Sequence, residues 1–176
     1  TDSDKTNLVG ADVRYRPDQR TEIRAEFAGS RGRERSGSSR ADAGGASAWL
    51  VEAEHHGEKA DVLAYVRRQS ARFGLGQTNR SEIGTEKFGL DGRYRITDKL
   101  SVSALGYREE FVGTGARRLA GTAELEYRTE ETSVRAGVTH ADDLLADGTN
   151  NRSTLLRLGG SQKLLDNKLE LDAQTE

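Results

Sequence analysis

The sequence predicts an all-β fold in which about ten antiparallel strands run up and down in chain order. Apolar and polar residues alternate along nearly the whole chain, and alternation with a period of two is typical of strands. Composition by itself would fit a disordered chain, because 34% of the 176 residues are hydrophobic and 32% are charged. The regular alternation excludes that interpretation.

Each alternating segment is about eight to ten residues long, and its apolar residues fall on one face. In the first segment, Val9, Val13 and Tyr15 share a face, whereas Asp12 and Arg14 lie on the other. The apolar positions that define the ten predicted strands fall within residues 9–15, 23–27, 49–53, 60–66, 88–96, 100–104, 119–127, 134–138, 156–160 and 169–173.

The predicted connections alternate between two kinds. Five are tight turns rich in the residues that favour hairpins, around residues 17–19, 56–58, 97–99, 129–131 and 165–167. Four are longer and polar, at residues 29–46, 69–86, 109–118 and 141–152. The glycine, serine and arginine in the first of these indicate a flexible loop. Short turns on one rim and long loops on the other describe an up-and-down meander.

Aromatic residues mark both ends of the apolar face. Three tyrosines precede tight turns, and three other aromatic residues stand next to the long connections. The six residues are Tyr15, Tyr94 and Tyr127 on the turn side and Phe27, Trp49 and Phe88 on the loop side. Two aromatic belts that flank an apolar band are typical of membrane interfaces. No helical segment is available to cover that face in water. We therefore expect a closed transmembrane β-barrel with the aromatic residues at the membrane interfaces.

A similar short sequence recurs where three of the predicted strands end before a tight turn. Asp12-Val-Arg-Tyr-Arg-Pro-Asp, Asp91-Gly-Arg-Tyr-Arg-Ile-Thr-Asp and Glu124-Leu-Glu-Tyr-Arg-Thr-Glu each end a strand before a turn. With the alanine- and glycine-rich apolar stripe, this pattern resembles bacterial outer-membrane β-barrels, and in particular the hairpin-repeat barrel regions of large surface proteins. The resemblance implies a Gram-negative outer membrane as the location, and the lipid bilayer and lipopolysaccharide as partners.

On this interpretation the charged residues point into the barrel. The predicted lumen residues are Arg14, Arg16, Glu22, Arg24, Glu26, Glu52, Glu54, Asp61, Arg67, Asp91, Arg93, Arg95, Glu124, Glu126, Arg135 and Arg157. A hairpin centred near Asp18 would place Arg14 opposite Glu22 and Asp12 opposite Arg24. A hairpin centred between Thr129 and Glu130 would place Glu124 opposite Arg135. The function expected is a porin-like pore for ions or small solutes, or a membrane-embedded anchor in which these charges fill the interior.

Two other classes of function stay open. One is a soluble all-β domain with a binding or structural role. The other is an outer-membrane hydrolase similar to omptins, based on His140, Asp142 and Asp143 at a strand end. That group has no recognisable second acidic pair, so we expect no enzyme activity.

The sequence also indicates which partners are not expected. The chain has no cysteine, and the side chains of His55 and His56 should point to opposite faces, so we expect no metal or other cofactor. A net charge of −2 argues against nucleic acid. Residues 1–176 are expected to form a single barrel domain, as an internal fragment or a permuted form of a longer barrel protein. The oligomeric state cannot be predicted from the sequence.

Overall fold

A computed structural model describes the chain except for residues 1–5, 37, 38, 43, 44, 72, 74–83, 165–168 and 176. The described residues form 11 strands and no helix. In chain order these are β1 (Thr6–Tyr15), β2 (Thr21–Ser36), β3 (Ser39–Asp42), β4 (Ala46–His56), β5 (Ala60–Gln69), β6 (Thr85–Arg95), β7 (Leu100–Phe111), β8 (Arg117–Arg128), β9 (Thr132–Leu144), β10 (Asn150–Leu164) and β11 (Leu169–Thr175). Within the same part of the chain, no helix is both long enough and apolar enough to cross a membrane.

All strands belong to one sheet in which sequence neighbours pair antiparallel. Its order is β1-β2-β4-β5-β6-β7-β8-β9-β10-β11, and β3 pairs with β2 alone. The prediction of an all-β, up-and-down antiparallel fold is therefore confirmed. Among the described strands β1 and β11 are the two edges and do not pair with each other, so the sheet is open.

The hairpin connections agree with the prediction on one rim and differ on the other. Tight turns are present at residues 16–20, 57–59, 96–99 and 129–131, and the fifth predicted turn, at residues 165–167, lies outside the described residues. On the opposite rim, residues 112–116 and 145–149 form connections no longer than the first tight turn. Strands β7 to β10 are correspondingly longer than expected, with 12 to 15 residues.

The segment predicted as a flexible loop at residues 29–46 is largely strand. Strand β2 continues to Ser36 and pairs with β3 from Arg33, opposite Asp42, to Ser36, opposite Ser39. This finger extends past the pairing of β2 with β1, which ends at Gly32. A two-stranded finger can have water on both faces, and then it needs no apolar face. Its strands therefore lack the alternation that identifies the others.

The register of two hairpins differs from the prediction by two residues. Arg14 stands opposite Arg24 rather than Glu22, and Glu126 rather than Glu124 stands opposite Arg135. In the first hairpin the centre moves to Gln19. The Asp18 carboxylate accepts a 2.7 Å hydrogen bond from the Arg20 backbone N–H, which fixes the wider turn.

The sheet has no second layer and almost no core. Among the described residues, Phe73 is the single buried hydrophobic residue, at 8% exposure. Large apolar side chains are exposed along the whole sheet, among them Val9 at 74% and Leu156 at 69%. Burial of apolar surface is the main driving force for folding in water, and this sheet obtains very little of it.

Candidate functional site

The two faces of the sheet separate charged from apolar residues across all its strands. Directly opposed residues of paired strands share a face, so each row of the register can be followed from strand to strand. One row runs from Arg14 through Arg24 and Glu52 to Tyr65. The neighbouring row runs from Tyr15 through apolar residues to Leu90 in β6.

By this register, every strand residue predicted to line a lumen lies on the first face, which we call the charged face. Arg16, one residue past β1, continues the same alternation. The six aromatic residues predicted at membrane interfaces lie on the opposite face, which we call the apolar face. Phe27 stands directly opposite Trp49 there, but in the middle of β2 and not at its end.

In two strands, apolar residues are more exposed than their neighbours on the charged face. In β8, Leu119, Leu125 and Tyr127 are exposed, whereas Thr122 and Glu126 on the charged face are half-buried. In β6, Phe88 and Leu90 are exposed while Gly89 between them is buried. The apolar face of the sheet is therefore open to its surroundings.

A first cluster of ion pairs joins β1, β2 and β4 near the tight turns. Glu22 accepts from two arginines, with Oε1 at 3.0 Å from the Nε of Arg14 and Oε2 at 2.6 Å from that of Arg16. Arg24 lies 3.4 Å from Glu26 and 3.6 Å from Glu52. The diagonal contact between Arg14 and Glu22 thus forms despite the shifted register.

A second cluster joins β6, β7 and β8. The carboxylate of Glu126, 13% exposed, contacts Arg93 at 3.1 Å through one oxygen and Arg128 through the other. Arg93 also donates to the hydroxyl of Ser101 at 3.2 Å. Among the described residues Arg95 makes no ion pair.

Between the two clusters lies a histidine with acidic neighbours. The His56 ring is 2.7 Å from Glu54 through Nε2 and 3.4 Å from Asp61 through Nδ1. As predicted, His55 lies on the other face, where its Nδ1 is 2.9 Å from the Thr21 hydroxyl. In the described part of the chain no group of three or more histidine and acidic residues has a metal-binding arrangement.

Two tyrosines on the charged face, Tyr65 and Tyr107, were not predicted from the sequence as residues of this face. A Cβ atom built on Gly89 would lie 2.6 Å from the Tyr65 ring, so the ring covers this glycine. On the other side of Gly89, the ammonium of Lys87 lies 4.1 Å from the centre of the Tyr107 ring. Both tyrosines occupy the alternate strand positions that lie on the charged face. This spacing in the sequence is the signal that could have identified them.

The residues considered for hydrolysis have other partners. The His140 ring is 2.8 Å from the Thr154 hydroxyl, and Arg152 binds Asp142 at 2.8 Å. Asp143 lies 3.5 Å from Arg118 on the charged face, opposite to the face of His140. This arrangement does not assemble a histidine–aspartate pair, and the absence of enzyme activity stays a prediction.

The belt of tyrosines crosses the rows of the sheet obliquely. The row of Tyr15 meets β6 at Leu90, and Tyr94 lies four residues nearer the turns. The row of Tyr94 meets β8 at Leu125, and Tyr127 lies two residues nearer the turns. The belt therefore shifts along the strands by about one residue for each strand that it crosses. For a rise of ~3.3 Å per residue and a distance of ~4.8 Å between strands, the strands are tilted by about 35° from the perpendicular to the belt.

No model of a known protein family matches the chain, and no curated protein sequence is similar to it.

Proposed function

We propose that this chain is a membrane-embedded β-barrel with a charged, water-filled interior that passes ions or small polar solutes. The observation that carries the proposal is the exposed apolar face of the sheet, which no second layer covers in the described part of the chain. A single-layer sheet that exposes Val9, Leu156 and most other large apolar side chains needs an apolar solvent, and lipid provides one.

The tilt of the aromatic belt supports the same proposal. Strands of transmembrane barrels are tilted by ~35–45°, and the belt of Tyr15, Tyr94 and Tyr127 independently gives about 35°. The belt would then lie level with the membrane surface while the strands cross it obliquely. Closure would pair β1 with β11, which run in opposite directions along the sheet.

Barrel dimensions limit what could pass. Ten strands at this tilt would close with a radius of roughly 9 Å at the backbone. Long arginine and glutamate side chains extend into that space from most strands, which leaves room for small ions and solutes only. The lipid bilayer of a Gram-negative outer membrane, with its lipopolysaccharide, is the environment that we propose.

The ion-pair clusters favour a second candidate function, a membrane anchor with a filled interior. Glu22 and Glu126 each hold two arginines, and such contacts fix side chains that an open channel would leave mobile. Planar-bilayer recordings separate the two functions. A pore should conduct, and replacement of Arg93 and Arg95 by glutamate should shift its reversal potential towards cations. The anchor should show no conductance.

The only tryptophan of the chain tests membrane insertion directly. Trp49 lies on the apolar face, so brominated phospholipids should quench its fluorescence in reconstituted vesicles. A matched variant, Trp49→Phe with Tyr107→Trp, moves the probe to the charged face, where iodide and not the lipid should quench it. Equal lipid quenching at both positions, or a monodisperse parent protein in detergent-free buffer, would contradict the proposal.

A further inference from the structure

A small recess opens at the turn-side end of strands β6, β7 and β8. Its volume is about 200 Å³, and four basic side chains and two acidic ones line it, namely Arg93, Arg95, Lys99, Arg128, Asp98 and Glu126. With all six ionised, the recess carries a net charge of +2. An excess of positive charge of this kind attracts anions.

Glu126 holds Arg93 and Arg128 of the recess in place and leaves some of their N–H donors available. Glu126 binds Arg93 and Arg128 at the same time, one with each carboxylate oxygen. Both guanidinium groups stay more than half exposed, at 57% and 63%. One carboxylate neutralises one charge of two and fixes the position of both, which leaves free N–H donors directed by an existing contact.

Arg95 adds a further charge without a partner among the described residues. The residue opposite to it in β7 is Ser101, which offers a hydroxyl where an acid would have neutralised it. Asp98, Lys99 and Arg128 also line a neighbouring recess, together with Glu130 and Glu131. The charged residues that line only the first recess are Arg93, Arg95 and Glu126, and their net charge is +1.

We propose that this recess binds a phosphate group of a soluble molecule, either inorganic phosphate or the phosphate end of a small phosphorylated solute. Planar guanidinium groups match phosphate oxygens through paired hydrogen bonds, and the recess is large enough for a phosphate with a small substituent. Three residues of the recess, Arg93, Arg95 and Ser101, lie on the charged face. A solute in water, and not a membrane lipid, therefore reaches it.

This inference goes beyond the proposed function and does not depend on barrel closure, since β6–β8 and the turn between β6 and β7 contribute every residue it needs. It can therefore be tested in detergent micelles. Calorimetric titration with sodium phosphate at low ionic strength should show saturable binding, which Arg95→Gln should weaken about tenfold. Arg117→Gln removes one charge at the other end of β8 and should leave the affinity unchanged. No binding by the parent protein, or equal losses in the two variants, would overturn the site.

A second experiment distinguishes a soluble phosphate from the phosphate of a lipid headgroup. The titration is repeated in lipid nanodiscs made of neutral lipid alone and of neutral lipid with one fifth anionic phospholipid. Equal affinity for phosphate in both supports a soluble ligand. Competition by the anionic lipid would overturn that assignment and would identify a headgroup as the occupant.

Discussion

The tripeptide Arg-Tyr-Arg occurs twice at the end of a strand, at residues 14–16 and 93–95, and the two copies have different surroundings. In both, the tyrosine joins the apolar face and the arginines lie on the charged face. In the first hairpin Glu22 binds both arginines. In the other, Ser101 stands opposite Arg95, and the acid that contacts Arg93 is Glu126 in β8.

This difference shows what a neighbouring strand contributes to a repeated motif. The tripeptide determines which face each side chain joins, because alternation is a property of one strand. Whether its arginines are neutralised depends on the acids that neighbouring strands bring into contact with them. Glu22 contacts both arginines of the first copy, whereas Glu126 contacts only Arg93 of the second copy and leaves Arg95 for an anion.

The turns beside the two copies differ in the same way. Asp18 organises the first, with its carboxylate accepting from the Arg20 N–H and the Thr21 hydroxyl. Thr97 organises the other, with its hydroxyl accepting from the backbone N–H groups of Lys99 and Leu100. One turn therefore depends on an ionised group, and the other does not.

The largest effect should come from making the second copy similar to the first. Ser101→Glu places a carboxylate opposite Arg95, so phosphate affinity should fall by about a hundredfold while unfolding becomes harder by about 0.5 kcal/mol. Calorimetric titration and urea unfolding in the same detergent measure the two effects. Ser153→Glu adds the same charge on the same face in β10 and should leave phosphate binding unaltered. An unchanged affinity in Ser101→Glu would refute this explanation of the recess.

The second largest effect concerns the shared acid. Glu126→Gln leaves Arg93 and Arg128 without their common partner in a half-buried place, which should lower the free energy of unfolding by about 1–2 kcal/mol. The midpoint of urea unfolding measures this change. Glu124→Gln, two residues earlier on the same face, is the control and should cost less than half as much. Equal costs would mean that the network has no special contribution.

A smaller effect is expected in the first hairpin. Glu22→Gln removes the partner of Arg14 and Arg16, but its side chain is 26% exposed and both arginines are more exposed still. Water compensates part of the loss, so unfolding should become easier by only about 0.5–1 kcal/mol. The same urea titration should rank it below Glu126→Gln, and the reverse order would contradict the comparison.

The smallest effect should appear on acidification. The backbone N–H of Arg20, and secondly the Thr21 hydroxyl, hold the pKa of Asp18 below its ordinary value. A carboxyl with a lowered pKa stabilises the folded state above its unfolded-state pKa and loses that contribution as the pH falls through the folded value. The first turn should therefore loosen as the pH falls through the lowered pKa of Asp18, while the Thr97 turn should not.

Amide hydrogen exchange, corrected for intrinsic rates, measures this difference. Protection of the Arg20 and Thr21 amides should fall between pH 6 and pH 3 relative to that of Leu100. In Asp18→Asn the fall should disappear, because the amide does not titrate in this range. Persistence of the fall in that variant would assign it to another group.

Much of the fold could be predicted because alternation is local. Successive residues such as Val13 and Arg14 lie on opposite faces of a strand. The two faces and the ten main strands therefore follow from the sequence alone. The finger of β2 and β3 could not be predicted, because residues 33–36 and 39–42 show no alternation of apolar and polar residues. The short connections at residues 112–116 and 145–149 were missed for a related reason, as polar residues continue strands past the apolar band.

The sequence by itself determined which side chains share a face and where four tight turns lie, because each depends on residues close together in the chain. Only the tertiary structure decided the register. A shift of two residues keeps every side chain on its face, so the pattern cannot detect it. That shift nevertheless sets Arg14 opposite Arg24 and Glu126 opposite Arg135. The pairing of strands, and not their composition, therefore decides which charges are neutralised and where a recess remains for an anion.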